Sequence, residues 1–253
     1  MLRRQPKLLQ EAVAFIVEPG LTGRTMATIQ VLSSLATREA YLELVPPFER
    51  STGHRVTTTW AGTVDIMKRM AAGESHDLII VASASVDELI RQGTVVPGSR
   101  IDMAHTGIGI AVRAGAPHPD LGSAEALKRA LLAAKSVGYS TGPSGVYLAG
   151  LFERMGITAE VKAKTCQVPS GMTVGTIVAS GEAEIGFQQV SELVHFAGVD
   201  YIGPLPAEVQ HVTVFSIGLD ANAKEPDAAK ALAQHLTGPA ARPIIERHGL
   251  EPR

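Results

Sequence analysis

The chain has 253 residues, of which 45% are hydrophobic and 19% are charged, and its formal net charge is −2. This composition is typical of a folded protein with a sizeable core, and the near-neutral charge excludes the broad basic surface of a nucleic-acid-binding protein. No segment contains the roughly 18 consecutive apolar residues that a membrane-spanning helix needs. The single cysteine, Cys166, excludes an internal disulfide and leaves the redox compartment open.

The first 25 residues combine a basic start with an apolar stretch that is too interrupted for a signal peptide. Three basic residues precede Leu8–Val17, and Gln10 and Glu11 break this run. No small-x-small cleavage site follows it. We therefore predict that residues 1–25 form a poorly structured extension and that the protein is cytoplasmic.

From Met26 onward the sequence alternates strand and helix patterns, which predicts α/β layers around mostly parallel sheets. The first series consists of strands at Thr28–Leu32, Arg55–Trp60 and Asp77–Val81 and helices at Ala36–Arg50, Val64–Ala72 and after the capping box Ser85-Val86-Asp87-Glu88. Pro46 and Pro47 are expected to kink or break the first helix.

A long predicted strand, Thr106–Val112, joins this series to a second one. The second series contains helix Ala124–Ala134, strand Val137–Ser140, helix Val146–Met155, strand Glu160–Ala163, helix Met172–Ser180, and strands Ile185–Gln189 and Tyr201–Gly203. Strand Val212–Leu219 and helices Pro226–Leu236 and Ala240–Arg247 complete the chain.

The last strand and helices have no series of their own, so we expect the chain to return to the first lobe. The sequence therefore predicts two α/β lobes, with residues 26–108 and 210–253 in the first and 109–209 in the second. Two hinge crossings, near Thr106–Val112 and Tyr201–Val212, would border a cleft. The alternative is a single domain with one sheet.

Four turns, each placed between a strand pattern and a helix pattern, predict a site for an anion. They are Ser33-Ser34, Ala61-Gly62-Thr63, Pro143-Ser144-Gly145 and Ser170-Gly171-Met172. A helix start has unpaired N–H groups and the positive end of the helix dipole. Hydroxyl groups add donors, and small residues let a ligand approach the backbone. No turn contains a basic residue, so the predicted pocket consists mainly of neutral donors.

The sequence contains no recognisable catalytic, metal or cofactor motif. Gly107-Ile108-Gly109 lies within a predicted strand rather than before a helix, so it is not a dinucleotide-binding motif. The eight histidines are scattered without metal-ligand spacing. We therefore predict no metal and no cofactor, and no catalytic residue is identified.

Five motifs, in order along the chain, resemble those of the periplasmic molybdate-binding proteins in the type II solute-binding superfamily. They are Ser33-Ser34-Leu35, Trp60-Ala61-Gly62-Thr63, His76-Asp77-Leu78-Ile79-Ile80, Pro143-Ser144-Gly145-Val146-Tyr147 and Gly181-Glu182-Ala183-Glu184-Ile185-Gly186. The resemblance implies a two-lobed type II periplasmic-binding-protein-like fold. It also implies a substrate-binding protein of the ABC-transporter type that closes on a small anion, either a molybdate-like oxyanion or a small carboxylate. A permease partner and a periplasmic location follow as alternatives to a cytoplasmic protein.

Carried over position by position, the resemblance places ligand contacts at Ser34, Thr63, Ser144, Gly171 and Gln189. The family has a tyrosine where this chain has Gln189, whose amide could bind an organic acid or simply end a strand in solvent.

Two arginines are further candidates for binding a carboxylate. Arg113 follows the predicted hinge strand, where its guanidinium could bind a carboxylate through two parallel hydrogen bonds or remain solvated. Arg38 lies one turn into the first helix, a position where most arginines are simply exposed.

The chain also resembles the aconitate isomerases, which shift a double bond in a tricarboxylate. Such an allylic proton shift needs a positioned acid or base, and the sequence does not identify one. A binding protein is the principal hypothesis, an isomerase on the same scaffold is the alternative, and the identity of the anion stays open.

Overall fold

The computed structural model describes residues 26–169 and 171–253. The predicted extension, 1–25, and Ser170 of the fourth turn lie outside the described residues. Within these two described segments, no helix is long and apolar enough to cross a lipid bilayer.

The first lobe begins with three strands, each followed by a helix. They are β1 (Thr28–Ser34), a 3-10 turn (Leu35–Thr37), α1 (Arg38–Thr52), β2 (Arg55–Ala61), α2 (Thr63–Ala71), β3 (Leu78–Ala82) and α3 (Ser83–Arg91). β1 lies between β2 and β3 and is parallel to both. All five residues of β3 are buried, as expected for a central strand covered on both faces.

The long strand β4 (Ile101–Arg113) leads into the second lobe. This lobe contains α4 (Ala124–Ala133), β5 (Val137–Ser140), α5 (Pro143–Arg154), α6 (Thr158–Lys162), β6 (Thr165–Val168), α7 (Val174–Ala179), β7 (Ile185–Gln189), α8 (Val190–Leu193) and β8 (Val199–Pro204). β5 lies between β6 and β7 and is parallel to both.

The chain then returns to the first lobe. The returning elements are a 3-10 turn (Ala207–Val209), β9 (Val212–Leu219), α9 (Pro226–Thr237), a 3-10 turn (Pro239–Ala241), α10 (Arg242–Arg247) and β10 (Glu251–Pro252). β9 is inserted between β3 and β4, antiparallel to both, so the main strand order is β2-β1-β3-β9-β4-β7-β5-β6.

β4 connects the two lobes because its two halves pair with different partners. Residues 101–107 pair with β9, whereas residues 108–113 pair with β7 and β8, all antiparallel. The sheet is therefore mixed, and the expectation of mostly parallel strands is wrong at the crossings. At the crossings the chain leaves the first lobe along β4 and re-enters it along β9. As a result, β9 is antiparallel to β3 and β4, and β4 is antiparallel to β7 and β8.

The buried apolar residues form separate cores on the two sides of this crossing. Core residues of the first lobe come from 27–104 and 217–250, and those of the second come from 108–205. The predicted two-lobed α/β fold is confirmed.

The strand predicted at Glu160–Ala163 is wrong. These residues belong to and follow the helix α6, and the strand β6 begins at Thr165. Ile157 and Val161 are buried four residues apart, which is helical rather than strand spacing.

The capping box predicted for α3 is wrong, and the two prolines do not break α1. α3 begins at Ser83 with Ala82 as its N-cap, so Ser85 lies inside the helix and the capping box is not used. α1 continues through Pro46 and Pro47. The carbonyl groups that lose a partner belong to Leu42 and Glu43, which are exposed and open to water.

Candidate functional site

A cavity of about 40 Å³ lies where the two lobes face each other. It is lined mainly by residues at or just after the carboxyl ends of β1, β2, β5, β6 and β7, the edge where open α/β sheets bind ligands. Five of the six predicted ligand-binding residues line it: Ser34, Thr63, Ser144, Gly171 and Gln189. None of the described lining residues is basic.

The hydroxyl group of Thr63 is the clearest donor in this cavity. Thr63 is the first residue of α2, and its Oγ1 is buried without a hydrogen-bond partner among the described residues. A buried hydroxyl without a partner destabilises the protein. On the same wall, at the end of the neighbouring strand β1, Ser34 is also buried, and among the described residues its Oγ accepts only a long hydrogen bond of 3.4 Å from the Ala36 N–H. Both hydroxyl groups are therefore available to a ligand.

The start of α5 supplies the third hydroxyl group, that of Ser144. Gly142 is the N-cap and Pro143 is the first helical residue, which is the preferred place for proline in a helix. The Ser144 Oγ lies 3.5 Å from the Ser140 Oγ. A side chain at Gly145 would place its Cβ 1.6 Å from the Ser140 carbonyl oxygen, so only glycine allows this helix to start so close to β5.

Gly171 reaches the cavity from the loop between β6 and α7. Its φ of +87° is in the left-handed region, where glycine is unstrained. α7 begins at Val174, and the N–H of Val174 donates to the Gln188 Oε1 at 2.7 Å. That N–H group is therefore bound within the protein, and Gly171 offers backbone contacts only.

The amide of Gln189 faces the hinge. Gln189 is buried, so the expectation of a solvent-facing strand end is wrong. Its amide nitrogen can donate to the Thr106 and Gly107 carbonyls at 3.2 and 3.1 Å, while its oxygen accepts from the Thr213 hydroxyl at 3.1 Å. These partners lie on β4 and β9, so the amide holds the crossing strands together and is not free to bind an organic acid.

Arg113 lies outside the cavity. It is exposed at the end of β4, paired with Val199 and beside Gly181. β4 runs antiparallel to β7, with Ile108 opposite Gln189. Arg113 therefore lies five residues along β4 from Ile108, which pairs with the cavity end of β7. Five strand residues span about 17 Å. The structure therefore does not bring Arg113 to the cavity with the other five predicted residues, because the strand direction carries it away.

Glu192 is a site residue that the sequence did not reveal. It lies on α8, lines the cavity and accepts a 2.6 Å hydrogen bond from the Gln188 amide. The residue as a whole is half-buried. Burial raises the pKa of Glu192 to about 8, and the hydrogen bond from Gln188 only partly opposes this. The carboxyl group is therefore mainly protonated at pH 7 and can donate to an anion.

A family model described as bacterial extracellular solute-binding protein matches residues 29–251. The chain belongs to this family. It is 36% identical over 258 residues to a Pseudomonas protein named aconitate isomerase, covering 100% of this chain and 98% of that protein. It is 26% identical over 231 residues to the molybdate-binding protein ModA of Azotobacter vinelandii, covering 88% of this chain and 89% of that protein.

A solved structure of the Azotobacter vinelandii periplasmic molybdate-binding protein shares the fold. Its TM-score is 0.75 at 20% sequence identity, covering 88% of this chain and 98% of that structure. The predicted type II periplasmic-binding-protein-like fold is thereby confirmed, as are the resemblances to molybdate-binding proteins and to aconitate isomerases.

Proposed function

We propose that this protein binds a small oxyanion or carboxylate between its lobes. The observation that carries the proposal is the buried Thr63 hydroxyl, which has no hydrogen-bond partner among the described residues, in a cavity also lined by Ser34, Ser144 and Gly171. Hydroxyl groups and the N-termini of α2 and α5 supply partial positive charge there, and none of the described lining residues is basic. The names of the molybdate-binding and aconitate-isomerising relatives support an anionic ligand.

The physiological role of such a site depends on where the protein resides. A solute-binding protein that delivers its ligand to an ABC permease must work outside the cytoplasm, and the description of the family favours that role. The cytoplasmic location expected from the sequence stays a prediction. Fractionation of cells that produce the full chain would decide between the two, because delivery to a permease requires the protein outside the inner membrane.

Calorimetric titration of Thr63→Val with molybdate, sulfate, and di- and tricarboxylates tests the binding site. Losing one hydrogen bond to a charged ligand should weaken affinity about ten- to a hundredfold. Thr63→Ser keeps the hydroxyl group and should bind within a few-fold of the parent. Equal affinity of Thr63→Val and the parent for every bound anion would show that the site lies elsewhere.

A second candidate function, an isomerase, is favoured by Glu192. An allylic shift removes a proton from one carbon, moves the double bond, and returns a proton to the other end of the allylic system. One carboxyl group in the cavity can take and return that proton, and a pKa of about 8 lets Glu192 do both near neutral pH. The relative named aconitate isomerase supports this candidate.

Proton NMR of aconitate incubated with the protein in D₂O tests the isomerase candidate. The expected result is a shifted double bond, which is lost in Glu192→Gln. Deuterium enters the new position to the extent that the Glu192 carboxyl group exchanges its proton with solvent before returning it. Glu153→Gln, an exposed substitution on α5, is the control and should retain activity. Aconitate that binds at saturation without conversion would leave only the binding function.

A further inference from the structure

A second, larger cavity adjoins the candidate anion site. It has a volume of about 500 Å³ and shares Leu35, Gly171 and Glu192 with the first cavity. This volume is typical of small-molecule sites, whereas the 40 Å³ of the first cavity accommodates only a single small group. A ligand with a second functional group can therefore continue from one cavity into the other past Glu192.

The second cavity is lined by basic side chains, whereas none of the described residues that line the first is basic. Arg38 begins α1, and its Nη1 donates to the Glu39 Oε1 at 2.9 Å. His195 also lines the cavity, and its Nε2 lies 2.8 Å from the Arg247 carbonyl oxygen. A carbonyl only accepts, so Nε2 carries the hydrogen.

The Arg38–Glu39 ion pair leaves the guanidinium available for a ligand. Its side chains are 47% and 45% exposed, and exposed pairs of this kind contribute little to stability. Guanidinium has five N–H donors, and Glu39 takes one of them in this structure. An incoming carboxylate can therefore bind Arg38 through two parallel hydrogen bonds with little loss.

We propose that the second cavity is a subsite for a second carboxylate of the ligand, bound by Arg38 with His195 nearby. The ligand is then a di- or tricarboxylate whose first carboxylate occupies the cavity around Thr63. This inference rests on the proposed anion site. The carboxyl group of Glu192 lies between the two subsites, where its protonated form does not repel an anion.

Titration of the full chain with tricarballylate and with molybdate, which has a single anionic centre, tests the subsite. Arg38→Gln should weaken tricarballylate binding at least tenfold and leave molybdate binding within twofold. His195→Gln should have a smaller effect of the same selectivity. Glu39→Gln should strengthen tricarballylate binding a few-fold, because it removes the competing carboxylate.

The control is Arg91→Gln, which removes a 70% exposed arginine on α3 that pairs with Glu88 and should bind both probes as the parent does. If Arg38→Gln weakened the binding of both probes equally, Arg38 would act only through its long-range charge, and this result would overturn the subsite. Unchanged tricarballylate binding by Arg38→Gln would overturn it as well. A parent that binds neither probe would refute the proposed anion site itself.

Discussion

The carboxyl group of Glu192 couples the candidate site to pH. Its pKa is about 8 in the folded protein because burial disfavours the charged form, and it returns to an ordinary value near 4.5 on unfolding. Between these two values the folded state binds a proton that the unfolded chain releases. Stability from this group is therefore present below pH 4.5 and is lost as the pH rises through about 8.

We predict that Glu192→Gln removes part of the pH dependence of stability. Glutamine resembles the protonated carboxyl group and does not ionise. Between pH 5 and pH 9, the free energy of unfolding of the parent should fall relative to that of the variant by roughly 2–4 kcal/mol. Urea unfolding at the two pH values measures this. The exposed substitution Glu153→Gln should leave the parent's pH dependence unchanged, and parallel curves for parent and Glu192→Gln would contradict the prediction.

The candidate site residues differ in how far the sequence could reveal them. Ser34 ends a strand, and Thr63 and Ser144 follow strand ends within four residues, so local pattern and the resemblance were enough to place them beside one another as the structure does. The partners of Gln189 depend on strand register and direction, which no local pattern encodes. Glu192 lies on a helix of four residues, too short to show a periodic pattern.

At the scale of elements, Asp77 joins β3 to both β1 and α9. Its Oδ2 accepts from the Gln30 N–H at 2.7 Å, and its Oδ1 accepts from the Lys224 and Glu225 N–H groups at 2.7 and 2.8 Å. The last two lie immediately before α9, where N–H groups have no partner within the helix. The Asp77 in the motif shared with molybdate-binding proteins is thus structural, and it lies outside the anion cavity.

We predict that Asp77→Ala destabilises the protein by about 3–5 kcal/mol, because three hydrogen bonds to a buried carboxylate are lost. Asp77→Asn keeps the shape and should cost less. Urea unfolding measures both variants, and Asp227→Ala on α9, whose side chain is 98% exposed, should stay within about 0.5 kcal/mol. A loss no larger than that of this control would show that α9 docks without the carboxylate.

Strands with strong apolar patterns could be predicted to the residue from the sequence. The direction in which strands pair and the structure of short segments could not. β5, β7 and β9 have the predicted limits because each places large apolar residues at alternating or neighbouring positions between turn or polar residues. The antiparallel pairing of β4 and β9 depends on where the chain returns. α6 has one turn and a single buried residue, so its pattern also fitted a strand.

In the whole molecule, an open cleft separates the lobes beside the anion cavity. This cleft has a volume of about 380 Å³ and is lined by Val64 from the first lobe and by Val146 and Tyr147 from the second. Val64 and Val146 are 39% and 69% exposed, although both are apolar. Near the crossings the lobes are held together by the Gln189 amide and by a 2.7 Å hydrogen bond from Ser191 to the Ala36 carbonyl. This arrangement favours a hinge at the crossings and closure at the cleft.

We predict that ligand binding closes the cleft and buries Val64 and Val146 against the opposite lobes. Small-angle scattering should show a smaller radius of gyration at saturation. Val146→Asp should weaken binding several-fold without contacting the ligand. Closure would bury the new charge at the edge of the cleft, which disfavours the closed state, and the apparent affinity falls with the population of that state. Leu132→Asp on α4, which replaces a 42% exposed residue outside the cleft, should bind as the parent does. A radius of gyration that does not change at saturation, with parental affinity in Val146→Asp, would mean that the protein binds its anion without moving its lobes.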